Sequence, residues 1–406
     1  MSLVVHKYGG SSVATPERMK SVAARVARTR KDGHDVVVVV SAPGDTTDEL
    51  IALARQITPE PDEREMDVLL ATGEQQSIAL LAIAIKDLGF DAISFTGPQV
   101  GIITDEVYGK ARIVKVGDEK IRKALKLGKI VIVAGFQGQT AEEDITTLGR
   151  GGSDLTAVAL AAALKADVCE FYKDVDGVFT ANPRIVADAK KLEAISYEEM
   201  LEMASSGAQV LNSRSVEFAK KNSVRIHVRS SFHDGPGTMI IEEARGMEDV
   251  LVSGVTYNKD EAKLTLLGVK DKPGIAAAVF KALAGGEVNV DMIVQDVSEA
   301  GVNNMSFTVA KSDLKKAQDI LRKVSDELSA GGTSTDENIA KISVVGVGMR
   351  SHSGVAAQMF EALADASINI QMISTSEIKI SCVVSEKDCE TAVKAIHDKF
   401  RLGAAR

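Results

Sequence analysis

The sequence has few cysteines and no excess of basic charge, and both absences narrow the class of protein. Its three cysteines, Cys169, Cys382 and Cys389, match neither a disulfide framework nor the spacing of a metal site. We therefore expect buried thiols in a reducing compartment, which favours the cytoplasm. Lysine and arginine total 48 against 57 acidic residues, so the net charge is −9. This balance argues against a nucleic-acid-binding protein, which usually carries a basic stripe.

Long apolar runs and common catalytic motifs are also missing. The most apolar stretch, Ile78–Ile85, is much shorter than the roughly 20 residues that cross a bilayer. Because His6 and Lys7 interrupt the first apolar run, we expect neither a signal sequence nor a membrane partner. The patterns GxxxxGK[S/T], GxGxxG, HRD, DFG, HExxH and GxSxG are absent, which excludes the usual phosphate, dinucleotide and hydrolase sites. The histidines form no cluster, so we expect no protein-only metal site.

The first part of the chain alternates β-branched runs with amphipathic helical segments, which is the pattern of an α/β fold. Strands are predicted near residues 3–5, 36–40, 92–95, 130–134, 168–172 and 224–229, and helices near 66–88, 118–127, 154–165, 196–204 and 213–222. Thr15 is predicted to cap a first helix, and Ser196–Glu199 to form a capping box. We therefore predict an α/β sandwich with a largely parallel sheet over residues 1–245.

The remainder of the chain contains an internal repeat. Gly274–Ile293 aligns with Gly354–Ile373 at an offset of 80, and ten of the 20 positions are identical. Each copy reads as a strand, a turn, a helix and further strands. The second copy, 340–406, has no room for its last strand, and proteins usually cover such an open sheet edge. We predict that the segment 250–257 supplies that strand, so that the modules at 262–336 and 340–406 interleave.

A glycine-rich segment ends the first predicted strand, at the sheet edge where open α/β folds bind ligands. In Lys7–Ser12 two glycines allow a phosphate to approach the backbone, and Lys7 adds a positive charge beside them. A strand-terminal turn with a solvated lysine explains the same residues equally well. This segment alone does not decide between the two interpretations.

A second glycine-rich segment, Thr146–Asp154, is more specific. Three glycines flank Arg150, and the loop runs into a helix that we expect Ser153 or Asp154 to cap. Arg150 offers two parallel donors for a carboxylate or a phosphate, and Asp154 can hold Mg²⁺ or orient a lysine. A flexible loop is the alternative, but the apolar helix that follows favours a functional site.

Three weaker signals accompany these loops. Glu74 interrupts an apolar helical region at a small-residue break and is either a partner for a substrate amine or a solvated turn. Asp174 follows a predicted strand and is either a metal or nucleotide contact or part of an Asp-Gly turn. Asn182–Arg184 is a candidate nucleotide-side loop, although the same residues are common in ordinary turns.

Together these segments make the chain resemble the aspartate kinases of the amino-acid kinase superfamily, with two C-terminal ACT domains. The motifs are KYGGSS at 7–12, VVVVSAPGDTTDEL at 37–50, TGE at 72–74, GFQG at 135–138, TTLGRGGSD at 146–154 and KDVDGVFTANPR at 173–184. The resemblance implies a three-layer, carbamate-kinase-like sandwich followed by two interleaved, ferredoxin-like ACT modules. It also implies transfer of the γ-phosphoryl group of ATP, with Mg²⁺, to the side-chain carboxylate of L-aspartate. That step opens the biosynthesis of lysine, threonine, methionine and diaminopimelate.

The resemblance also implies roles for individual residues. Lys7 matches the lysine that stabilises the transferring phosphoryl group, and Asp154 matches the acid that orients it. Arg150 matches the clamp on the aspartate carboxylate, and Glu74 matches the partner of its ammonium group. The implied substrate positions are Thr47, Glu74, Arg150, Gly151, Gly152 and Ser153. The implied ATP positions are Lys7, Tyr8, Gly9, Gly10, Ser11, Ser41, Asp174, Val175, Thr180, Asn182, Pro183 and Arg184. Residues 209–213 depart from the family pattern, so no ATP contact is carried over to them.

ACT modules commonly bind an amino acid at the turn between the first strand and the first helix, across a paired interface. The resemblance therefore implies inhibition by lysine, threonine or both, and a homo-oligomer formed through these modules; a module that only dimerises is the alternative. The matching positions are Asp271, Gly274, Ile275, Ala276, Gln295 and Ser298 in the first copy, and His352, Gly354, Val355, Asn369, Ile370, Thr375, Ser376 and Glu377 in the second. Met247 resembles the internal start of a separate regulatory subunit, which would give an α₂β₂ assembly.

Two other functions stay open on the sequence. A sister kinase that phosphorylates another amino-acid carboxylate, such as that of glutamate, would use the same chemistry. A non-catalytic amino-acid sensor would keep the ACT pair beside a decayed kinase domain. The presence of Lys7, Glu74, Arg150 and Asp154 argues against the sensor.

Overall fold

The computed structural model describes residues 2–242, 251–296, 301–350 and 352–403, which form two compact units. Unit 1 comprises Met1–Val178, Lys191–Ala204 and Gln209–Arg245, and unit 2 comprises Phe179–Lys190, Ser205–Ala208 and Gly246–Arg406. Three residues named in the sequence predictions, Met247, Val250 and Ser298, lie outside the described residues.

Unit 1 is built on a largely parallel sheet. Its eight strands, in spatial order, are β10 (Ala194–Ser196), β12 (Thr238–Ile241), β11 (Ile226–Ser230), β9 (Val168–Lys173), β1 (Leu3–Tyr8), β2 (Asp35–Val40), β6 (Ile130–Ala134) and β3 (Ala92–Phe95). Adjacent strands are parallel except for β11 and β12. A smaller sheet contains β5 (Ile113–Val116), β4 (Ile102–Thr104), β7 (Gln137–Gln139) and β8 (Ile145–Thr147).

Helices cover both faces of the large sheet. In the described residues up to 242 they are α1 (Pro16–Lys31), α2 (Thr46–Ile57), α3 (Glu63–Asp87), α4 (Glu119–Lys126), α5 (Gly152–Leu164), α6 (Tyr197–Ser205) and α7 (Ser213–Lys221). α1 and α3 share one apolar core with β2 and β6, while α5 contacts β1, β2 and β9. Because the sheet is covered on both sides, β2 is apolar on both faces, as predicted.

Two of the predicted helix starts have the expected capping hydrogen bonds. Thr15 caps α1, since its Oγ1 accepts the Arg18 N–H at 3.3 Å. Ser196 and Glu199 form the predicted capping box. The Glu199 N–H donates to Ser196 Oγ at 3.2 Å, and the Ser196 N–H donates to Glu199 Oε2 at 3.3 Å. These local signals are therefore confirmed.

One described helix, α3, is long and apolar enough to cross a membrane by length and composition. Half of its most apolar 18-residue window is buried inside the protein. The helix also carries the buried carboxyl groups of Asp67 and Glu74. These features are typical of a core helix, and its packing against α1, α2 and β8 agrees with that interpretation.

Unit 2 contains two ferredoxin-like modules, each with a four-stranded antiparallel sheet and two helices. The first has β15 (Val290–Gln295), β16 (Val302–Ala310), β14 (Glu261–Lys270) and β17 (Gly332–Asp336), with α8 (Ile275–Gly285) and α9 (Leu314–Glu327). The second has β13 (Gly254–Asn258), β18 (Ile339–Val345), β20 (Lys379–Ser385) and β19 (Met372–Thr375), with α10 (Val355–Asp365) and α11 (Cys389–Lys399).

The second sheet takes a strand from the chain that precedes the first module. β13 pairs antiparallel with β18, from Gly254 opposite Val345 to Asn258 opposite Lys341. In the first sheet, β17 occupies the same position beside β14. The two modules therefore interleave.

A segment distant from the modules in sequence also belongs to unit 2. It comprises Phe179–Lys190, and we call it the arm. Its residues Ala181 and Val186 lie in the apolar core of the second module. The Val255 N–H of β13 donates to the carbonyl oxygen of Thr180 at 2.7 Å. The arm is thus bonded to the strand that completes the second module.

Candidate active site

A cleft of about 500 Å³ lies in unit 1 where β1 and β2 end, beside the first turn of α5. Ten of the predicted site residues line it: Lys7, Gly10, Ser41, Thr47, Glu74, Arg150, Gly151, Gly152, Ser153 and Asp154. The two glycine-rich segments, far apart in sequence, therefore meet in one pocket. This edge of a parallel sheet is where open α/β folds place their ligands.

Two lysines converge on one carboxylate at the base of the cleft. Lys7 Nζ lies 2.5 Å from Asp154 Oδ1, and Lys173 Nζ lies 2.8 Å from Asp154 Oδ2. Burial lowers the pKa of Lys7 to about 8, although the charge of Asp154 opposes that shift. Burial alone would raise the pKa of Asp154, but Lys173 and Lys7 hold it at about 2. Two cations around one anion leave a positive centre, which suits a phosphate group.

Glu74 faces the same cleft from α3 and is 3% exposed. The Ala42 N–H donates to Glu74 Oε1 at 3.0 Å, whereas Oε2 is buried and has no hydrogen-bond partner among the described residues. Burial raises the pKa of Glu74 to about 7. A buried carboxylate oxygen without a partner is costly, so it indicates a ligand that donates hydrogen bonds, such as an ammonium group.

Glycine shapes the backbone of the cleft where the loops at Gly10 and Gly44 meet. At Gly10 a Cβ would lie 2.8 Å from the carbonyl oxygen of Ala42. The Gly44 N–H donates to the carbonyl oxygen of Gly10 at 3.1 Å, which fixes the two loops against each other. Only a residue without a side chain allows this approach.

The loop that carries Arg150 is held by its neighbours. Its Gly151 has φ +76° and is the N-cap of α5, so the prediction that Ser153 or Asp154 caps this helix is wrong. A Cβ on Gly151 would lie 2.5 Å from Nδ2 of Asn212, and that same Nδ2 donates to the carbonyl oxygen of Arg150 at 3.1 Å. Because glycine ends the loop, the Asp154 carboxylate is available to the two lysines.

The sequence analysis left the segment 209–213 without a role, and the structure places it behind this loop. Asn212 caps α7, since its Oδ1 accepts the Arg214 N–H at 3.0 Å. The Arg214 guanidinium donates to the carbonyl oxygens of Leu148 at 2.8 Å and Ala111 at 3.1 Å. An Asn-Ser-Arg helix start gave a local signal for the cap. Nothing local indicated that it supports the Arg150 loop.

Asp67 is a further cleft residue that the sequence analysis missed. Its side chain is fully buried and accepts the Thr147 N–H at 2.8 Å, the Thr147 hydroxyl at 2.6 Å and the Gly109 N–H at 2.9 Å. It thereby ties α3 to β8 and to the loop at Gly109. Asp67 precedes Glu74 by seven residues, or two helical turns, so both project from one helix face. That spacing was the available signal.

The remaining ATP positions do not line this cleft in the described part of the chain. The Tyr8 ring is buried on the opposite side of β1 from Lys7 and stacks on Tyr172, with ring centroids 4.7 Å apart. Any contact between Tyr8 and the nucleotide would therefore use its backbone. The others are Gly9, Ser11, Asp174 and Val175 in unit 1, and Thr180, Asn182, Pro183 and Arg184 in the arm of unit 2.

The predicted effector turns have the same geometry in both modules. Gly274 caps α8 and Gly354 caps α10, each with φ +96° and without a side-chain hydrogen bond to the cap. The free amides of a helix start suit a carboxylate. Most of the other predicted positions are exposed or half-buried: Asp271, Ile275, Ala276, Gln295, His352, Asn369, Ile370, Thr375, Ser376 and Glu377; Val355 is buried.

Comparison with known proteins agrees with this architecture. Residues 2–230 match the amino acid kinase family, and residues 264–324 and 342–400 match the ACT domain. The fold and the cleft therefore define an amino-acid kinase with a pair of ACT domains.

Individual relatives show to which branch of the amino-acid kinases the chain is similar. The chain is 53% identical to the aspartokinase of Corynebacterium glutamicum over 411 residues, which cover 99% of this chain and 97% of that protein. Its structure resembles E. coli aspartokinase III in complex with aspartate and ADP (R-state), with a TM-score of 0.82 at 26% identity over 98% and 99% of the two chains. The same protein in complex with lysine and aspartate (T-state) gives a TM-score of 0.74 at 26% identity, with the same coverage.

The chain belongs to the aspartokinases, which are carboxyl-group phosphotransferases of the amino acid kinase family. It is thus an ATP-using enzyme of amino-acid biosynthesis. This membership decides against both the non-catalytic sensor and the sister kinase.

Proposed function

We propose that the cleft holds the triphosphate of ATP and the side-chain carboxylate of L-aspartate around the Lys7–Asp154–Lys173 cluster. The observation that carries this proposal is the convergence of two buried lysines on one carboxylate, beside the unpartnered oxygen of Glu74. Phosphoryl transfer requires positioning and charge neutralisation more than covalent catalysis. The cluster supplies both before the substrates arrive.

Lys7 stabilises the group in transfer. At an effective dielectric constant near 20, an ammonium about 4 Å from a phosphoryl oxygen contributes about 4 kcal/mol. If that interaction strengthens in the transition state, it accelerates the reaction about a thousandfold. Asp154 favours the charged form of Lys7, because its carboxylate raises the pKa that burial would otherwise lower further. The same ion pair fixes the position of the Lys7 ammonium group.

Glu74 and Arg150 hold L-aspartate by the two charged groups on its α-carbon. The free Oε2 of Glu74 accepts the substrate ammonium, and the Arg150 guanidinium binds its α-carboxylate. The side-chain carboxylate then faces Lys7. Because the α-carbon is held at two points, one additional methylene group, as in glutamate, shifts the reacting oxygen away from alignment. Thr47, Gly151, Gly152 and Ser153 complete the substrate pocket.

Mg²⁺ fits this site as a companion of ATP and not as a resident metal. Both oxygens of Asp154 already contact lysines, so the residues present form no oxygen cage. The exposed carboxylate of Asp174, just after β9, is a second oxygen donor near the nucleotide side. When bound, Mg²⁺ neutralises phosphate charge; Lys7 and Lys173 remain the cationic contribution of the protein.

Lysine, threonine or both inhibit the enzyme at the turns that begin α8 and α10. The matching glycine caps and the exposed positions around them support this proposal, as does the lysine complex of the E. coli relative. Ile293 and Ile373 are equivalent in the repeat, lie on the edge strands β15 and β19, and are 51% and 43% exposed. Such exposed apolar edges favour pairing with a second chain, and hence a homo-oligomer.

Three further points of the sequence analysis remain part of this proposal. The domains are 1–245, 262–336 and 340–406, and the strand 250–257 completes the last of them. The enzyme works in the cytoplasm, which the three free, buried cysteines support. Translation from Met247 would add a regulatory subunit in an α₂β₂ assembly.

A kinetic experiment tests these proposals together. ADP release is measured with aspartate or glutamate as acceptor, with and without Mg²⁺, and with lysine and threonine added singly and together. We expect turnover with aspartate only, dependence on Mg²⁺, and inhibition by at least one of the two effectors. Equal turnover with glutamate contradicts the two-point orientation of the α-carbon, and full activity with both effectors present contradicts the regulatory proposal.

A further inference from the structure

The end of the arm and the last turn of α11 bring three potential metal ligands together inside unit 2. A ring nitrogen of His397 and carboxylate oxygens of Asp188 and Asp398 all lie within 4.8 Å of one another. Asp188 belongs to the arm, and the other two are consecutive residues of α11. The sequence analysis expected no protein-only metal site because the histidines form no cluster. A group with a single histidine was therefore not anticipated.

A count of protons assigns the tautomer of His397. The Thr180 hydroxyl lies 3.0 Å from His397 Nε2 and donates its only hydrogen to the carbonyl oxygen of Leu402 at 3.1 Å. His397 Nε2 must therefore be the donor to Thr180 Oγ1, which leaves a lone pair on Nδ1. Burial lowers the pKa of His397 against the charges of Asp188 and Asp398, which agrees with a neutral ring.

The Nδ1 atom of His397 is a buried acceptor without a partner. The side chain is fully buried, and Nδ1 has no hydrogen-bond partner among the described residues. An unsatisfied buried acceptor is costly, so it indicates a ligand or an ordered water. Histidines that bind metals have the same arrangement, in which one ring nitrogen ligates the metal while the other donates to a nearby oxygen. Here that oxygen is Thr180 Oγ1.

The two carboxylates carry negative charge that no described lysine or arginine neutralises. Asp188 and Asp398 are exposed, and neither forms a salt bridge in the described part of the chain. The adjacent Lys399 turns to another partner, with its Nζ 3.1 Å from Glu361 Oε2. His397 and Asp398 also lie in the last turn of α11, where the helix dipole adds negative potential. The group therefore attracts a cation.

The chain that follows α11 holds Asp188 beside the end of that helix. Ala189 forms an isolated antiparallel bridge with Gly403, and a Cβ on Gly403 would lie 2.6 Å from Asp188 Oδ2. Because a side chain at position 403 would collide with the carboxylate, glycine permits this close approach. The arm and the helix end are thus placed to share one ligand.

We propose that Asp188, His397 and Asp398 bind one divalent transition-metal cation, with Zn²⁺ as the best match, and that this ion ties the arm to the end of α11. One imidazole nitrogen with two carboxylate oxygens suits such a cation, whereas Mg²⁺ prefers oxygen ligands alone. Atoms that are each about 2.1 Å from one ion lie up to about 4.2 Å apart, so the exposed aspartates need only small rotations. The two carboxylates balance the charge of the cation.

A zinc titration of the full-length enzyme tests this site. Metal-free protein is titrated with Zn²⁺ in competition with a chromophoric chelator, which gives the number of bound ions and their affinity. We expect a site that an excess of Mg²⁺ does not displace, and a higher unfolding temperature when Zn²⁺ is bound. Failure of the parent protein to bind Zn²⁺ at micromolar concentrations would overturn the proposal, and displacement by Mg²⁺ would overturn the assigned class of metal.

Three substitutions each remove one ligand and nearly preserve the size of the side chain: Asp188→Asn, Asp398→Asn and His397→Gln. Glutamine also keeps an N–H donor for Thr180. We expect each variant to bind Zn²⁺ at least about tenfold more weakly and to lose the zinc-dependent rise in unfolding temperature. Asp388→Asn, at the start of the same helix, is the matched control and should bind like the parent. Parent-like zinc binding in all three ligand variants would place the ion elsewhere and overturn the proposal.

Thr180→Val tests whether the hydroxyl orients the histidine ring. Valine keeps the shape of threonine but removes the acceptor for Nε2–H, so we expect zinc affinity to fall about tenfold. Thr180→Ser restores the hydroxyl and should bind like the parent. Unfolding temperatures of the metal-free variants show whether either substitution disturbs the fold itself. Equal zinc affinity in the valine and serine variants would contradict the orienting role of Thr180.

Discussion

The candidate catalytic cleft and the predicted effector turns differ in how their charged groups are buried. In the cleft Lys7, Asp154 and Glu74 are at most 4% exposed, whereas Asp271 and Thr375 at the turns are exposed. A buried charge is costly unless it is paired, so the cleft is fixed by its own ion pairs before a ligand arrives. The turns offer backbone amides at a glycine cap, and most of the positions around them are exposed or half-buried. Preorganised charge suits catalysis, and an exposed surface suits regulation.

The contact between the two ACT modules contains one buried charged group and one that is half-exposed. Lys341 of the second copy is buried between Glu261, 2.5 Å from its Nζ, and Asp291, both of the first copy. At the repeat-equivalent positions, Lys263 Nζ of the first copy donates to Gln371 Oε1 of the second at 2.5 Å. The same reciprocal contact is thus made twice, once between charges and once with a neutral amide. Its charged half belongs to the structural core and not to an effector turn.

Removing the charge of Lys7 should have the largest effect. We expect Lys7→Met to reduce kcat about a thousandfold, because the phosphoryl group loses its main positive partner. Lys173 still neutralises Asp154, so the variant should fold, which circular dichroism and thermal unfolding can check. Turnover within about tenfold of the parent would show that Lys7 does not act on the transferring group.

The charged contact between the modules should matter for stability and much less for chemistry. Lys341→Met leaves Glu261 buried without its cation, and we expect a loss of about 3 kcal/mol in the unfolding free energy of unit 2. Lys263→Met removes a half-exposed bond to a neutral amide and should cost less than about 1 kcal/mol. Urea unfolding of both variants measures the difference. Equal losses would mean that the two contacts are energetically alike in spite of their charge.

Asp67 tests whether the cleft is preorganised from behind. In Asp67→Asn the amide group meets the donors of Thr147 and Gly109, and we expect kcat/KM for aspartate to fall about thirtyfold, or about 2 kcal/mol. Asp62→Asn, at the exposed N-cap of the same helix, is the matched control and should change little. Steady-state kinetics at fixed ATP compares them. Parent-like kinetics in Asp67→Asn would mean that this residue only stabilises the local backbone and does not support the substrate site.

Asp67 also illustrates how far the sequence could be interpreted. The periodicity of unit 1 predicted six of the eight strands of its large sheet and most of its helices, and the strand count of the repeat led to β13, because both depend on local patterns of apolar residues. The short strands β4, β5, β7, β8, β10 and β12 were missed, since segments such as QGQ and ITT are too short to show a period. The helix α2 was interpreted only as part of a motif. The packing of the arm and the bonds of Asp67 and Asn212 connect residues distant in sequence, which no local pattern encodes.

The pH dependence of kcat/KM should reveal the two buried titrating groups of the cleft, Glu74 and Lys7. Glu74 must be ionised to bind an ammonium, and burial raises its pKa to about 7, so kcat/KM for aspartate should fall below that pH. Lys7 must be protonated, and its pKa is lowered to about 8, so activity should fall again above that pH. Each limb should approach a tenfold loss per pH unit. Glu74→Gln should lose the acidic limb; a profile with that limb intact would assign it to another group.

A change at an effector turn should have the smallest effect and a different kind of effect. Thr375 is exposed on the edge strand of the second module and forms no part of the cleft described above. Thr375→Ile replaces a hydroxyl by an apolar group, and we expect the effector concentration for half-inhibition to rise about fivefold through the loss of one hydrogen bond. Titration of lysine and threonine against both enzymes measures the shift. Superimposable titrations would show that the effector does not bind at this strand. The comparison between a buried substrate site and an exposed effector site would then have to rest on other residues of the turns.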